Sequence, residues 1–93
     1  MSERNEVSVH EVKVFRALES TRDTWRTNRE IAEIVSGVSY RTVRAHTMKL
    51  VRAGILDQAD VFPAHKYRLS AQASKRNVGY WRRLQAAAEV FGL

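Results

Sequence analysis

Apolar residues recur at steps of three and four along several stretches of the chain, which is the pattern of amphipathic helices. Residues 39–54 show this pattern most clearly and predict a helix that packs by one side. The predicted packed stripe is Val43, Thr47, Leu50 and Val51. The opposite face holds Arg41, Arg44, Ala45, Met48 and Arg52, with Tyr40 at the front. Ser39 is a favourable N-cap, and Gly54 can end the helix in a left-handed conformation.

Two shorter helices are predicted ahead of this one, each from a capping-box pattern. Ser8 and Glu11 form S-x-x-E and predict a first helix over about 9–20, while Thr27 and Glu30 form T-x-x-E and open a second. The residues predicted to be buried are Val12, Val14, Phe15, Ala17 and Leu18 in the first helix, and Ile31, Ile34 and Val35 in the second. Both helices therefore have one side suited to a shared core.

The segment 36–38 contains Gly37 and separates the second predicted helix from the third. A short helix, a turn of three or four residues with a glycine, and another helix form a helix-turn-helix. An ordinary helical hairpin is the alternative. The two capped starts, the glycine and the basic outer face of the third helix favour the helix-turn-helix.

The pattern changes to alternation after Gly54, and this predicts a β-hairpin. Tyr67 and Leu69 fall on one face of a half-buried strand, and the apolar pair at 55–56 suits an opening strand. Pro63 cannot donate a hydrogen bond to a strand ladder, so it belongs to the connecting loop. The tip of the hairpin is predicted near 62–66.

A final helix is predicted over about 75–91, with Gly92 at its end. Its apolar stripe is Val78, Trp81, Leu84, Ala88 and Phe91. This helix can fold back on its own domain or pair with a second copy. Pairing is favoured, because a small protein gains affinity from two half-sites, so the stripe is the predicted dimer interface. The predicted organisation is a domain at 1–70 and an additional helix of the same domain at 71–93.

Composition narrows the function classes. The chain has 93 residues, a net charge of +6 and a pI near 10.3, which favours a polyanionic partner, with nucleic acid before membrane. The absence of cysteine excludes disulfides and thiolate metal sites. No apolar run approaches the roughly 20 residues that span a bilayer, and the polar start is not a signal peptide. A cytoplasmic protein is therefore expected.

Enzymatic chemistry finds no support in the sequence. A glycine-rich phosphate loop, a G-x-S-x-G turn, a cysteine nucleophile and a plausible carboxylate pair are all missing. His10, His46 and His65 have no companions at metal-ligand spacing, so no metal site and no cofactor are predicted. His46 lies beside the packed stripe and is expected to be a packed or hydrogen-bonded residue. No segment is left to form a separate effector domain.

The pattern T-N-R-E-I-A-E-I-V-S-G-V-S-Y-R-T-V-R-A-H-T-M-K-L-V-R-A-G-I-L at 27–56 is similar to the winged helix-turn-helix of prokaryotic transcriptional regulators. This superfamily includes MarR-, ArsR- and IclR-like proteins. The elements that carry the resemblance are E-I-A at 30–32, V-S at 38–39, T-V at 42–43, His46, K-L at 49–50 and G-I-L at 54–56. The resemblance covers about 7–70. It implies a mostly helical α+β fold, with a three-helix core, a β-hairpin wing and here an additional C-terminal helix.

The resemblance also implies a DNA-binding mode, in which the second helix of the motif enters the major groove and the wing meets the backbone or minor groove. Carried over to this sequence, the DNA-facing residues are Ser39, Tyr40, Arg41, Thr42, Arg44 and Ala45. Thr27, Asn28 and Lys49 would lie near phosphates, and His65 and Lys66 would be wing contacts. The expected function is a nucleoid-associated dimeric repressor that reads an inverted repeat in double-stranded DNA.

Two residues support base reading independently of the resemblance. Arg41 and Arg44 lie near the start of their helix, where a guanidinium fork could bind guanine O6 and N7. Nonspecific phosphate binding or simple solvation of both side chains remain alternatives. At the level of the whole protein, a protein-interaction module and a nonspecific DNA- or RNA-binding architectural protein are the other function hypotheses.

Overall fold

The computed structural model describes residues 7–61 and 63–93. The elements in chain order are α1 (Val9–Ser20), α2 (Asn28–Ile34), α3 (Tyr40–Arg52), β1 (Leu56–Val61), β2 (Ala64–Leu69), α4 (Ala73–Arg76) and α5 (Val78–Phe91). Three helices precede an antiparallel hairpin, and a helical segment follows it. The predicted mostly helical α+β architecture is therefore confirmed.

The helix starts follow from side-chain caps. Thr27 and Glu30 form the full reciprocal capping box, because the Thr27 hydroxyl accepts from Glu30 N and the Glu30 carboxylate accepts from Thr27 N. Ser39 accepts from the backbone N–H of Thr42 at 3.2 Å. Only one of the two hydrogen bonds of the capping box predicted at Ser8 forms. Ser8 accepts from Glu11 N, but the Glu11 carboxylate points inward and binds Lys49 instead of the Ser8 backbone N–H.

Two glycines allow the turns around α3. Gly37 has a φ of +77° in the turn between α2 and α3, as the helix-turn-helix prediction requires. Gly54 has a φ of +82° directly after α3, which confirms its predicted role. A side chain at Gly54 would also meet the Cβ of Arg76 at 3.1 Å, so the end of α3 lies close against α4.

The hairpin pairs β1 with β2 in antiparallel register, from Leu56 opposite Leu69 to Val61 opposite Ala64. Arg26 adds a short bridge to β2, with hydrogen bonds to Tyr67 in both directions at 2.8 and 2.7 Å. Pro63 lies in the turn, as predicted.

The predicted hairpin tip at 62–66 was too long. Phe62 lies outside the described residues, and β2 already begins at Ala64. His65 and Lys66 therefore belong to the strand, because the pairing of β1 with β2 continues as far as Val61 opposite Ala64.

One core connects all the helices and the base of the hairpin. Its fully buried side chains include Val12, Phe15, Leu18, Ile31, Val43, Leu50, Ile55, Leu56 and Leu84. The prediction that Ile34 faces inward was wrong, since 44% of it is exposed. α2 ends at this residue, and the extended Val35 takes the inward position instead.

The C-terminal segment is two helices rather than the one predicted. Asn77, with φ −148° and ψ 77°, interrupts the helix and caps α5 by accepting from Tyr80 N at 3.3 Å. Its amide also donates to the carbonyl of Ala53 at the end of α3. Gly92 ends α5 in the left-handed conformation, as predicted.

Most of the predicted dimer stripe packs within the chain itself, which corrects that prediction. α5 lies against α1, Leu84 and Ala88 are fully buried, and the half-buried Trp81 meets the Phe15 ring edge-on at a centroid distance of 5.3 Å. A domain this small needs that apolar face to complete its core. Val78 and Phe91 remain exposed, at 44% and 38%.

Candidate nucleic-acid interface

α3 presents a cationic face to solvent because its apolar residues anchor it from behind. Val43, Thr47 and Leu50 are completely buried. The exposed residues are Tyr40, Arg41, Arg44, Ala45, Met48, Lys49 and Arg52. The helix contains four Lys and Arg residues and no Asp or Glu. Its outer face is therefore suited to a negatively charged partner.

The two hydroxyls at the start of α3 are part of its cap. Ser39 Oγ donates to Thr42 Oγ1 at 3.1 Å while it accepts from Thr42 N. Ser39 is exposed and Thr42 is half-buried. Both groups lie at the N-terminal end of the helix, where the helix dipole favours an anion.

A groove of about 460 Å³ lies between the start of α2, the start of α3 and the hairpin. Its lining brings together five predicted site residues, which are Thr27, Asn28, Tyr40, Arg44 and His65. The groove also contains Arg29, which the sequence analysis did not single out, although it is an exposed cation in the first turn of α2. Arg41, Ala45 and Lys66 do not line it.

Asn28 also lines this groove, but most of the residue faces the core, and its predicted position near a phosphate stays a prediction. The residue is only 9% exposed, and its Oδ1 accepts a hydrogen bond from Thr47 Oγ1 at 2.7 Å. The pair joins α2 to α3 within the core, since both side chains face the contact between these helices. Asn28 therefore holds the two helices of the motif together.

Lys49, predicted to lie near a phosphate, is exposed and also forms an ion pair within the chain. Its Nζ lies 2.9 Å from Oε1 of Glu11, whose side chain is only 2% exposed. The same ammonium lies 5.7 Å from the centre of the Tyr80 ring. Its charge is thus engaged with a buried carboxylate. The S-x-x-E pattern at Ser8 indicated only a capping role for Glu11, although Glu11 shares the helical spacing of the buried residues Phe15 and Leu18.

The two predicted hairpin contacts have different surroundings. His65 is exposed, and its Nδ1 lies 2.7 Å from Oδ1 of Asp60. Gln58 donates to the same oxygen at 2.9 Å, and this bond, followed by the one with His65, lowers the pKa of the Asp60 carboxyl. Lys66 is half-buried on the other face of the strand. The acidic Asp60 therefore offsets the positive charge of the hairpin.

His46 is half-buried beside the packed stripe of α3, as expected from the sequence. Burial lowers the pKa of its imidazole below 6.5, the neighbouring Glu11 carboxylate opposes this shift, and Lys49 and His10 reinforce it. Within residues 7–61 and 63–93, no three potential ligand side chains come together to hold a metal ion.

Comparison with known proteins identifies the fold. The sequence matches no protein-family model and no curated protein. Among solved structures, a possible transcriptional regulator from Methanosarcina mazei Go1 aligns with a TM-score of 0.67 and 16% identity, over 98% of this chain and 78% of that one. A MarR family transcription regulator aligns at 0.61 and 14% identity, over 97% of this chain and 60% of that one. The chain has the winged helix-turn-helix fold.

Another solved structure, a possible transcriptional regulator for arsenical resistance, aligns with a TM-score of 0.56 and 20% identity, over 87% of this chain and 73% of that one. In this winged helix, α2 and α3 form the helix-turn-helix and the β1–β2 hairpin forms the wing. No helix among the described residues has the length and apolar character needed to cross a membrane.

Proposed function

We propose that this winged helix is a sequence-specific, double-stranded DNA-binding transcriptional regulator that inserts α3 into the major groove. The observation that carries the proposal is the exposed face of α3, which is cationic, free of carboxylates and held rigidly by a buried apolar side. A major groove about 12 Å wide admits such a helix. The groove beside α3 supports the same orientation, because Thr27 and Arg29 can follow one phosphate backbone along it while Arg44 faces the base edges.

Base reading is assigned to the first two turns of α3. Arg41 and Arg44 can each place a guanidinium fork on guanine O6 and N7, and the exposed methyl of Ala45 can contact a thymine methyl. Tyr40 contacts a phosphate or a thymine methyl. Ser39 and Thr42 lie at the helix N-terminus, where they and the free amides bind phosphate. The wing contributes through His65 and Lys66.

The regulator acts as a homodimer on an inverted repeat in the cytoplasm, on nucleoid DNA, and represses transcription by occluding a promoter. The surface that supports dimerisation is the C-terminal end of α5, where Val90, Phe91 and Leu93 are 81%, 38% and 43% exposed. Leu93 shares an open apolar groove of about 390 Å³ with Ile34, which is 44% exposed. Exposed apolar side chains grouped in this way favour a protein partner.

Selection of duplexes from a random pool, followed by a salt titration, tests the proposal. The selected duplex is expected to bind about a thousandfold or more tightly than random DNA. Both affinities are expected to fall as salt rises, because binding releases counterions. A salt dependence without sequence preference would instead indicate a nonspecific nucleic-acid binder. Absence of any duplex binding would overturn the proposal in favour of a protein-interaction module.

A further inference from the structure

Glu11 is a carboxylate buried at the contact between helices. It lies in the first turn of α1, and its side chain is 2% exposed. Oε1 accepts from Lys49 Nζ at 2.9 Å, while Oε2 has no hydrogen-bond partner within the part of the chain that the structure describes. An ionised carboxylate in this environment requires a nearby cation. Lys49 supplies that cation from the last turn of α3.

Tyr80 brings a third helix to the same place. It lies in the first turn of α5, is 5% exposed, and has the ammonium of Lys49 at 5.7 Å from its ring centre. Arg83 lies 5.6 Å from the same ring. A cation near an aromatic face is attracted by the ring quadrupole. Lys49 is therefore held between α1 and α5, although it belongs to α3.

The attachment is well placed to control the orientation of α3. At 100° per residue, Lys49 lies roughly 80° around the helix from Arg41 and roughly 140° from Arg44. A side chain anchored on the flank of a helix resists rotation about the helix axis. Such rotation would carry both arginines sideways, and bidentate contacts tolerate displacements of only about 0.5 Å.

We propose that Glu11 is a positioning residue for DNA reading, which holds Lys49 against α1 and α5 and so fixes the rotation at which α3 presents Arg41 and Arg44. This inference rests on the proposed function. It changes the role of Lys49 from a phosphate ligand to the counterion of a buried carboxylate, and it gives α1 a part in sequence preference without contact to DNA.

The primary test is Glu11→Gln, which keeps the size of the side chain and removes its charge. We expect affinity for the selected duplex to fall about tenfold, as when one base contact is misplaced, with affinity for random duplex unchanged. The matched control is Glu19→Gln, also in α1, whose carboxylate pairs with Arg16 of the same helix and accepts from Gln85 Nε2 of α5. The control is expected to keep the ratio of the two affinities. All measurements are made at a temperature where circular dichroism shows each variant folded.

A second set of variants separates positioning from general stability. Lys49→Gln leaves Glu11 buried without its cation and is expected to lower the melting temperature more than Glu11→Gln does. The double variant Glu11→Gln/Lys49→Gln removes both charges and is expected to recover that stability. Its ratio of specific to random affinity is expected to stay as low as that of Glu11→Gln alone. If the double variant recovers both its stability and its ratio of specific to random affinity, the proposal is overturned.

Backbone NMR of the free protein gives an independent measurement. Glu11→Gln is expected to shift the amide signals of Arg41 and Arg44, which are far along the chain from the substitution, whereas Glu19→Gln leaves them in place. Unshifted signals, or an unchanged affinity ratio, would overturn the proposal. Failure of the unmodified protein to bind any duplex would overturn the proposed function instead, and the NMR comparison would still decide whether Glu11 orients α3.

Discussion

Arg44 is the single residue whose surroundings most favour base reading. It is exposed on the cationic face of α3 and lines the groove between Tyr40 and the wing. Arg44→Ala is expected to relax the preference at one position of the selected duplex by about 1–3 kcal/mol, since one bidentate contact is lost. Competition binding with all four base pairs at each position measures this change.

The matched control for Arg44 is Arg82→Ala. Arg82 is an exposed arginine on α5, and its substitution by alanine removes the same charge from the protein surface. It is expected to leave the preferred sequence unaltered. If Arg44→Ala also leaves the preferred sequence unaltered at the same salt concentration, the proposed orientation of α3 in the groove is incorrect.

His46 makes stability depend on pH. Because burial lowers the pKa of its imidazole below 6.5, the unfolded chain binds more protons than the folded chain as pH falls through that value. Stability is therefore fully present above about pH 7.5 and is lost as pH falls from about 6.5 toward the lower folded pKa. Urea denaturation across this range is expected to show the loss.

Two substitutions identify the group responsible for the pH dependence. His46→Gln is expected to flatten the dependence below about pH 7.5, because it removes the titrating group. His10→Gln, at an exposed position in α1, is expected to reduce the dependence only slightly, because His10 makes the smallest contribution to the lowered pKa of His46. A similar flattening by both substitutions would assign the effect to another group.

At the scale of elements, the end of α3 makes a close approach to α4 at Gly54. Gly37 and Gly54 both have positive φ, but only Gly54 would place a Cβ against another side chain, at 3.1 Å from Arg76 Cβ. Each Gly→Ala substitution is expected to cost about 1–2 kcal/mol for the left-handed conformation. Gly54→Ala is expected to cost more than Gly37→Ala, because Arg76 or the end of α3 must also move.

Thermal denaturation of the two alanine variants compares them directly. The Gly37 variant serves as the control, since nothing lies within 4 Å of its added Cβ. Equal losses of stability would show that the contact with Arg76 has no energetic weight and that φ alone decides the effect.

The starts of α1, α2 and α3 were predictable from sequence because their caps are local. The Ser39 hydroxyl bonds an amide three residues away, and Thr27 does the same. By contrast, Glu11 binds a residue 38 positions along the chain, and Asn28 binds one 19 positions away. No local pattern specifies such partners, so the sequence indicated where α1, α2 and α3 begin but not what these two polar side chains bind.

The apolar face of α5 also has a packing partner that local sequence patterns do not specify. Its apolar spacing correctly predicted an amphipathic helix that ends at Gly92, but spacing does not specify the partner surface. Leu84 and Ala88 meet α1 of the same chain. The groove residues Thr27, Tyr40 and Arg44 were found from sequence because the resemblance supplied the tertiary arrangement that local patterns lack.

At the scale of the whole molecule, α5 is part of the core rather than an appendage. A chain ending at Ser70 loses the buried residues Tyr80, Leu84 and Ala88. Removal of a single buried leucine side chain typically costs about 2–5 kcal/mol, a large fraction of the stability of a small domain. We expect this truncated chain to show no cooperative thermal transition, and a sharp transition would contradict the placement of α5 in the core.

Oligomeric state must therefore be tested by surface substitutions in the full chain. Val90 is 81% exposed near the proposed dimer surface, and an aspartate there would place a charge among Phe91 and Leu93. Val90→Asp is expected to give a monomer in sedimentation equilibrium at concentrations where the unmodified protein is a dimer, with an unchanged circular dichroism spectrum. The aspartate would be buried without a cation only when the dimer forms, so it opposes association. The fold of the monomer is unaffected, because position 90 is exposed there.

The matched control is Val78→Asp, the same substitution at the opposite end of α5, roughly 18 Å away at 1.5 Å per residue. Val78 is 44% exposed and is expected to tolerate the change without dissociation. Dissociation by Val78→Asp alone would move the interface to the start of α5. A monomeric Val90→Asp protein should also bind a single half-site as well as the unmodified protein does but lose its advantage on the inverted repeat, because only a dimer engages both halves at once.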